Sequence, residues 1–418
     1  MILQDPRSQI QQLGKEAWLR SSRKNTLILP TGAGKTFVAI SILKEINPEN
    51  ILLLTNSSDL RDNSWRLECN KWGFDWGKIE SQCYQTAFRW EGKHFDFVIA
   101  DEIDFIAEGY SKFFTENTYN MLLGLTGFIT EEKKELVERY APIVFQAKAE
   151  DLQEQNILNK TEFILVEYPL SLEKTIEQKT KTGAKFYISE NDQYKYWNKE
   201  FQKATIVKTQ IEKKYRLLGQ FFEQQKDWQG SDWKFKIAAT KRKKVLHTSI
   251  ATSQVTKNLL NHIHLKPNNK VIVFNTLTSE ADKLPNPFHG KTEEDISGLE
   301  RLNSGEINTL SVVKKVTRGS NITGLNYLVR ATYDGSETDL SQSLGRLMRL
   351  KVGEVAKYLI LLPMFEDQVM TSSGRLEKIL IETQAFRWKA KMLNSLNNPV
   401  MRTIRLGKDL KIKEEICI

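Results

Sequence analysis

The stretch PTGAGKT, Pro30 to Thr36, holds residue types that grip phosphate. Gly32 and Gly34 permit a tight turn around Ala33 whose backbone N–H groups point inward. A helix starting just after it would add its positive dipole end. Lys35 would reach the β- and γ-phosphates of a nucleotide, and Thr36 would offer its hydroxyl to Mg2+. Pro30, Thr31, Gly32, Ala33, Gly34, Lys35 and Thr36 are therefore the candidate nucleotide-binding residues. The general phosphate-loop pattern begins with a further glycine where this chain has Leu29. Downstream, FVIADEID delivers Asp101 and Glu102 to the end of an apolar run. Asp101 can hold Mg2+, and Glu102 can orient and deprotonate an attacking water. An acidic loop after a buried strand is the competing reading of the Asp-Glu pair taken alone.

These residues work only if strands and helices hold them at one edge. From about residue 26 to 141, short apolar runs (NTLILP, ILLLT, FDFVIADE) end in polar or glycine turns and alternate with helix-like stretches. That is the pattern of a parallel sheet covered by helices, and ligands of such sheets bind at the carboxyl ends of the strands. From about Ala147 to His264 the chain turns rich in Lys, Gln, Glu and aromatics at helical spacing, with a strand at EFILVEYPL. From about Asn269 the runs KVIVFNT, INTLSVV, NYLVRATY and AKYLILLP predict a second parallel sheet. The tail from about Ser373 is expected to be helical up to Asn398. The expected fold class is α/β, with two parallel-sheet units and a helical insert between them. The boundaries are 1–146, 147–265 for a linker strand and the insert, 266–372, and 373–418 for a helical tail.

Composition bounds the rest. The chain has 418 residues, 40% hydrophobic and 27% charged, the balance of a soluble globular protein. No apolar run reaches bilayer length, and the opening MILQDPRS has no secretory pattern, so a cytoplasmic protein with no membrane partner is expected. Its three cysteines form no CxxC pair, and its five histidines are scattered. A net charge of +9 favours polyanionic partners.

PTGAGKT and DEID resemble motifs I and II of superfamily 2 helicases, the DEAD/DEAH-like group, in which the missing first glycine is usual. The resemblance implies two RecA-like domains, with ATP and Mg2+ as cofactors. QSLGRLMRL matches the family's QxxGRxxR. It implies that Gln342 positions water and that Arg346 and Arg349 supply charge to the transferring γ-phosphate. KKVTRGSNITGL resembles motif V, with Gly319 near the nucleotide and Asn321 where the family commonly has Asp. KVIVFNT resembles motif IV. In LLGLTGFIT, Thr126 matches the motif that couples hydrolysis to strand separation, while Phe128 replaces a hydroxyl residue. A glutamine that acts ahead of motif I would be Gln9 or Gln11.

For nucleic acid, the resemblance points to the loops after the strands of the first unit. Thr55, Asn56 and Ser57, with Arg61 one turn on, suit phosphate, as do Tyr84, Gln85 and Thr86. Ordinary helix capping is the other reading of each. In the insert, Lys241, Arg242, Lys243 and Lys244 are candidates for phosphate contact, a solvated face being the alternative. Tyr194, Tyr196, Trp197, Trp228 and Trp233 are read as the insert's core rather than as a stacking track.

The expected protein is an ATP- and Mg2+-dependent superfamily 2 helicase or translocase. It is similar to bacteriophage branch-migrating and fork-remodelling helicases and to repair helicases. Its expected partner is DNA, single-stranded, forked or branched, met as a monomer. A duplex translocase without strand separation, serving restriction or defence, and an RNA helicase are the alternatives.

Overall fold

The computed structural model describes residues 5–30, 32–56, 64–155, 157–158, 160–180, 182–266, 268–289, 295–313, 322, 324–332, 355–371, 374–387 and 400–412. They fall into two units, Met1–Thr161 with Val316–Leu325 and Glu337–Ala356, and Glu162–Lys315 with Asn326–Ser336 and Lys357–Ile418.

The first unit is built on a sheet of β1 (Lys24–Ile28), β2 (Ile51–Thr55), β3 (Ile79–Cys83), β4 (His94–Asp101), β5 (Thr118–Thr126) and β6 (Ile143–Gln146). Their order is β3-β2-β4-β5-β1-β6, and every pairing is parallel. ILLLT and FDFVIAD read as continuous apolar runs because both faces of the sheet are covered. Leu53, Phe97, Ile99 and Leu123 pack on one side with Trp18 of helix α1 (Pro6–Leu19) and with α2 (Lys35–Ile46). Leu52, Leu54, Val98 and Leu122 face the other side, with Tyr84 and Phe113. The period of two along each strand thus fills two cores at once.

The second unit carries a larger sheet. Its strands are β7 (Thr161–Pro169), β10 (Lys270–Phe274), β11 (Pro287–Phe288), β12 (Thr309–Val312), β13 (Leu325–Arg330), β14 (Ala356–Met370), β15 (Leu376–Glu382) and β16 (Val400–Arg405). A separate hairpin pairs β8 (Ile176–Lys179) with β9 (Lys185–Ile188). The order in the large sheet is β11-β12-β10-β13-β14-β7-β16, with β15 antiparallel to β14. The strand expected as a linker is β7, which lies inside this sheet, with Ile164, Val166 and Tyr168 in its core.

Where it is described, the expected helical tail holds two strands, with helix only at Phe386 and Arg387; residues 388–399 lie outside the described residues. Ile379 and Ile381 fall in register on β14, and β16 lies parallel to β7, with Arg402 and Arg405 paired to Glu162 and Glu167. β15 folds back on the strand just before it, whereas the partner of β16 lies far away in sequence, where local periodicity could not announce it.

The insert is helical: Glu190–Leu217, Lys226–His247 and Ile250–Ile263. The first two form a long antiparallel arm. The third packs Val255, Leu259 and Ile263 into the core of the second sheet. The Glu190 carboxylate ties the arm's root down, accepting hydrogen bonds from the Ser249 hydroxyl and from the N–H groups of Ile250 and Ala251 at the start of that third helix.

Candidate nucleotide site

The site grows from the carboxyl edges of β1, β4 and β5. After β1 the chain turns through Gly32 and Gly34, whose φ values of 93° and 99° lie in the left-handed region that glycine tolerates. The Ala33 N–H donates to the Pro30 carbonyl at 3.0 Å, closing the turn, and α2 starts at Lys35 with Gly34 as its N-cap. Gln11 of α1 donates its side-chain amide to the Ala33 carbonyl at 2.9 Å, so α1 braces the loop from outside. Of the two upstream glutamines, Gln11 thus contacts the loop.

Lys35 extends to the end of β4, where its Nζ lies 2.9 Å from Glu102 Oε1. Burial alone would lower its pKa. The carboxylates of Glu102, Asp101 and Asp104 outweigh that and hold the ammonium above the ordinary lysine value. Asp101, the last residue of β4, is buried. Its Oδ2 accepts a 2.8 Å hydrogen bond from the Trp65 indole, and its carbonyl accepts from the Tyr84 hydroxyl at 3.1 Å. Burial, then the neighbouring Glu102, pushes the Asp101 carboxyl above its usual range, against the pull of Lys35 and Trp65. Glu102 itself sits at φ 51° and ψ 56°, a left-handed conformation that costs a non-glycine residue about 1–2 kcal/mol. The bend turns its side chain to Lys35.

Thr126 ends β5 and is fully buried. Its hydroxyl donates to the Phe128 carbonyl at 2.8 Å and stands 3.2 Å from Asp104 and 3.4 Å from Glu102. Lys133 neutralises Asp104 at 3.2 Å. Trp65, Asp104 and Lys133 were not singled out in the sequence. Asp104 was visible within DEID, whereas no spacing rule points to Trp65 or Lys133.

The residues expected to take Mg2+ fit that ion. Thr36, on the first turn of α2, and Asp101 are hard oxygen donors. Few protein ligands are needed for an ion held mainly by phosphate and water. Among the described residues no cluster of His, Cys, Asp and Glu could hold a metal by itself. Thr31, Gly319, Asn321, Gln342, Arg346 and Arg349 lie outside the described residues, as do Ser57 and Arg61.

The nucleic-acid candidates divide. Thr55 and Thr126 are fully buried, and Tyr84 is a core ring spent on Asp101, so none of the three forms an exposed contact surface. Asn56 is buried with neither side-chain amide atom hydrogen-bonded, and Gln85 donates to its carbonyl at 3.3 Å. Thr86 is exposed. In the arm, Lys241 and Lys244 are exposed and Lys243 is half-buried. Arg242 turns inward, donating to Asn198 Oδ1 at 2.8 Å with its guanidinium 3.7 Å from the centre of the Phe201 ring. The basic run is therefore split by helical geometry, because one of four successive residues must face the seam. Tyr194 is core, as expected of the aromatics, but Tyr196 and Trp233 are 58% and 63% exposed.

Two segments match known families: residues 4–73 match the type III restriction enzyme res subunit, and residues 254–351 match the helicase conserved C-terminal domain. Among curated proteins no match was found. Among solved structures, the chain is similar to the ATP-dependent type ISP restriction-modification enzyme LlaBIII bound to DNA, with 14% identity and a TM-score of 0.55. That likeness covers 95% of this chain but 31% of the enzyme, so the chain spans about a third of that protein. It is equally similar in fold to S. cerevisiae Dbp5 bound to RNA and ADP BeF3, at 11% identity and a TM-score of 0.55, over 95% of this chain and 89% of Dbp5. These likenesses identify the two sheets as RecA-like domains. By its two matched segments the chain is similar to the helicase conserved C-terminal domain and to the type III restriction enzyme res subunit, and its fold is that of the solved structures named above.

Proposed function

We propose that the chain is an ATP-hydrolysing motor that moves along DNA. The observation that carries this reading is the Lys35–Glu102 pair, set beside Asp101 at the edge of the first sheet. A buried lysine held by a carboxylate is a cation kept in place for phosphate. When phosphate arrives, Lys35 exchanges Glu102 for the β- and γ-oxygens. Glu102 is then free to take a proton from the water that attacks the γ-phosphoryl group. Thr36 and Asp101 would hold Mg2+, which would offset the charge of the phosphates. Gln342, Arg346 and Arg349 are proposed to act on the transferring γ-phosphate, and Gly319 and Asn321 to serve the nucleotide.

DNA is preferred over RNA because residues 4–73 match a restriction-enzyme subunit and one similar structure is a restriction enzyme bound to DNA. Within that reading, remodelling of forks or branched junctions in phage replication or repair is the primary role. Translocation along duplex without strand separation is the second, and one observation favours it. The Thr126 hydroxyl is satisfied by the Phe128 carbonyl, and the Phe128 side chain has no hydroxyl to continue the chain of contacts. ATPase and strand displacement on matched single-stranded, duplex, forked and four-way DNA, and on RNA, decide between these. ATPase stimulated by DNA with displacement of a forked strand supports the primary role, and stimulation without displacement supports the second. Stimulation by RNA alone overturns the DNA reading.

A further inference from the structure

The insert arm holds most of the chain's excess charge. Between Glu190 and His247, fourteen basic residues stand against seven acidic ones, a surplus of +7 in a chain of net +9. Several of the acids are used inside the arm. Asp232 is buried between Lys208 at 2.7 Å and Lys236 at 2.6 Å, Glu212 accepts the Trp228 indole, and Asp227 accepts the Tyr215 hydroxyl. From Trp233 to His247 the chain has six basic residues and no acidic one.

One face of the second arm helix stands apart. At 100° per residue, Lys226, Gln229, Trp233, Lys236, Thr240 and Lys244 fall within about 80° of one another, and all six are exposed. The stripe runs about 27 Å at the helical rise of 1.5 Å per residue. Its middle is an indole that is 63% exposed, in a helix pair whose seam takes Phe201, Phe235 and Trp228 as aromatic filling. A merely solvated face requires lysines but no tryptophan.

We infer that this face binds single-stranded nucleic acid, with Trp233 stacking on an unpaired base while Lys226 and Lys244 hold phosphates on either side. The inference rests on the reading that the chain acts on nucleic acid. The indole selects the single strand, because in a duplex the faces of the bases are already covered by their neighbours. An aromatic platform among cations grips any base sequence, as a motor that reads no sequence requires.

The test uses the full chain without nucleotide and three labelled probes: dT20, a base-free strand of the same phosphate length, and a blunt duplex, each followed by fluorescence anisotropy. Trp233→Ala is expected to weaken dT20 binding about tenfold, to leave the base-free strand and the duplex unchanged, and to be largely rescued by Trp233→Phe. Lys226→Ala with Lys244→Ala is expected to weaken both single strands and to flatten the salt dependence by roughly one to two counterions. ATPase without nucleic acid, unchanged in all variants, confirms that each is folded. Trp233→Ala binding dT20 as tightly as the parent overturns the inference, and so does an equal loss on the base-free strand. If the parent binds none of the probes, the nucleic-acid reading itself fails; if it binds dT20 and Trp233→Ala does too, only this inference fails.

Discussion

The Lys35 ammonium lies 2.9 Å from Glu102 Oε1, and both side chains are largely buried. The two groups therefore form an ion pair with each other. On the proposed function, phosphate would displace a carboxylate from the lysine, and that displacement would free the proposed base. Removing Glu102's charge should separate the two effects. Glu102→Gln is expected to bind ATP several-fold more tightly, since Lys35 no longer has a competing partner. Its turnover should fall by about 10²–10⁴ because the base is gone. Equilibrium binding of a fluorescent ATP analogue alongside steady-state ATPase measures both. Weaker nucleotide binding in this variant would contradict the displacement. Lys35→Ala should abolish turnover, and normal activity there would overturn the site.

Gly34 bears two constraints at once. Its φ is 99°, and a Cβ built on it would stand 2.2 Å from the Gln11 side-chain nitrogen. Gly34→Ala is expected to cost about 1–2 kcal/mol from backbone conformation alone and to abolish ATP binding, because the N–H cradle must reorganise. Trimming the obstruction with Gln11→Ala should not restore binding in the double variant, because the left-handed φ remains. Full recovery in the double variant would place the whole effect in the side-chain contact. Calorimetric nucleotide titration and thermal unfolding report on the two parts.

Much of the candidate site's geometry was legible in the sequence for a physical reason. Glycines before Lys35 and acids after FVIA mark strand ends, and parallel sheets gather strand ends at one edge. Trp65 was not legible, since its tie to Asp101 crosses from a helix to a strand with no spacing that encodes it. Thr55 and Thr126 had the right chemistry for phosphate but lie at the ends of central strands, where both faces of the sheet are covered. Arg242 was misread for a related reason: a run of four cations looks uniform in sequence, while a helix divides it between seam and solvent. The start of the tail, LEKILIE, was misread because a short apolar run suits helix or strand until β14, just before it, pairs with it.

The arm should respond to acid through Asp232. Hydrogen bonds from Lys208, then Lys236, hold its carboxyl below the ordinary aspartate range. A depressed folded-state value means that the stabilisation is present above about pH 4, the unfolded value, and is lost as pH falls through the folded one. Asp232→Asn is therefore expected to destabilise the protein at pH 7 by roughly 1–2 kcal/mol, a figure reduced by the exposure of Lys236. The difference from the parent should shrink progressively below pH 4. Urea unfolding of both proteins across that range, followed by far-ultraviolet circular dichroism, gives the curve. A difference that is constant with pH would mean that the carboxylate's charge is not what the lysines recognise.

Thr126 joins the acids of the site to the loop after β5. A single hydroxyl proton reaches the Phe128 carbonyl at 2.8 Å, with Asp104 and Glu102 within 3.4 Å of the same oxygen. Thr126→Val keeps the shape and removes the hydrogen bond. It should cost about 1 kcal/mol of stability and lower the ATPase kcat roughly tenfold, with little change in KM, since Glu102 loses positioning rather than substrate contact. Thr126→Ser should restore kcat, because it returns the hydroxyl without the methyl. A purely structural role would instead give equal stability losses for the two variants and no selective recovery by serine. A rise in KM with unchanged kcat would show that Thr126 acts in nucleotide binding instead.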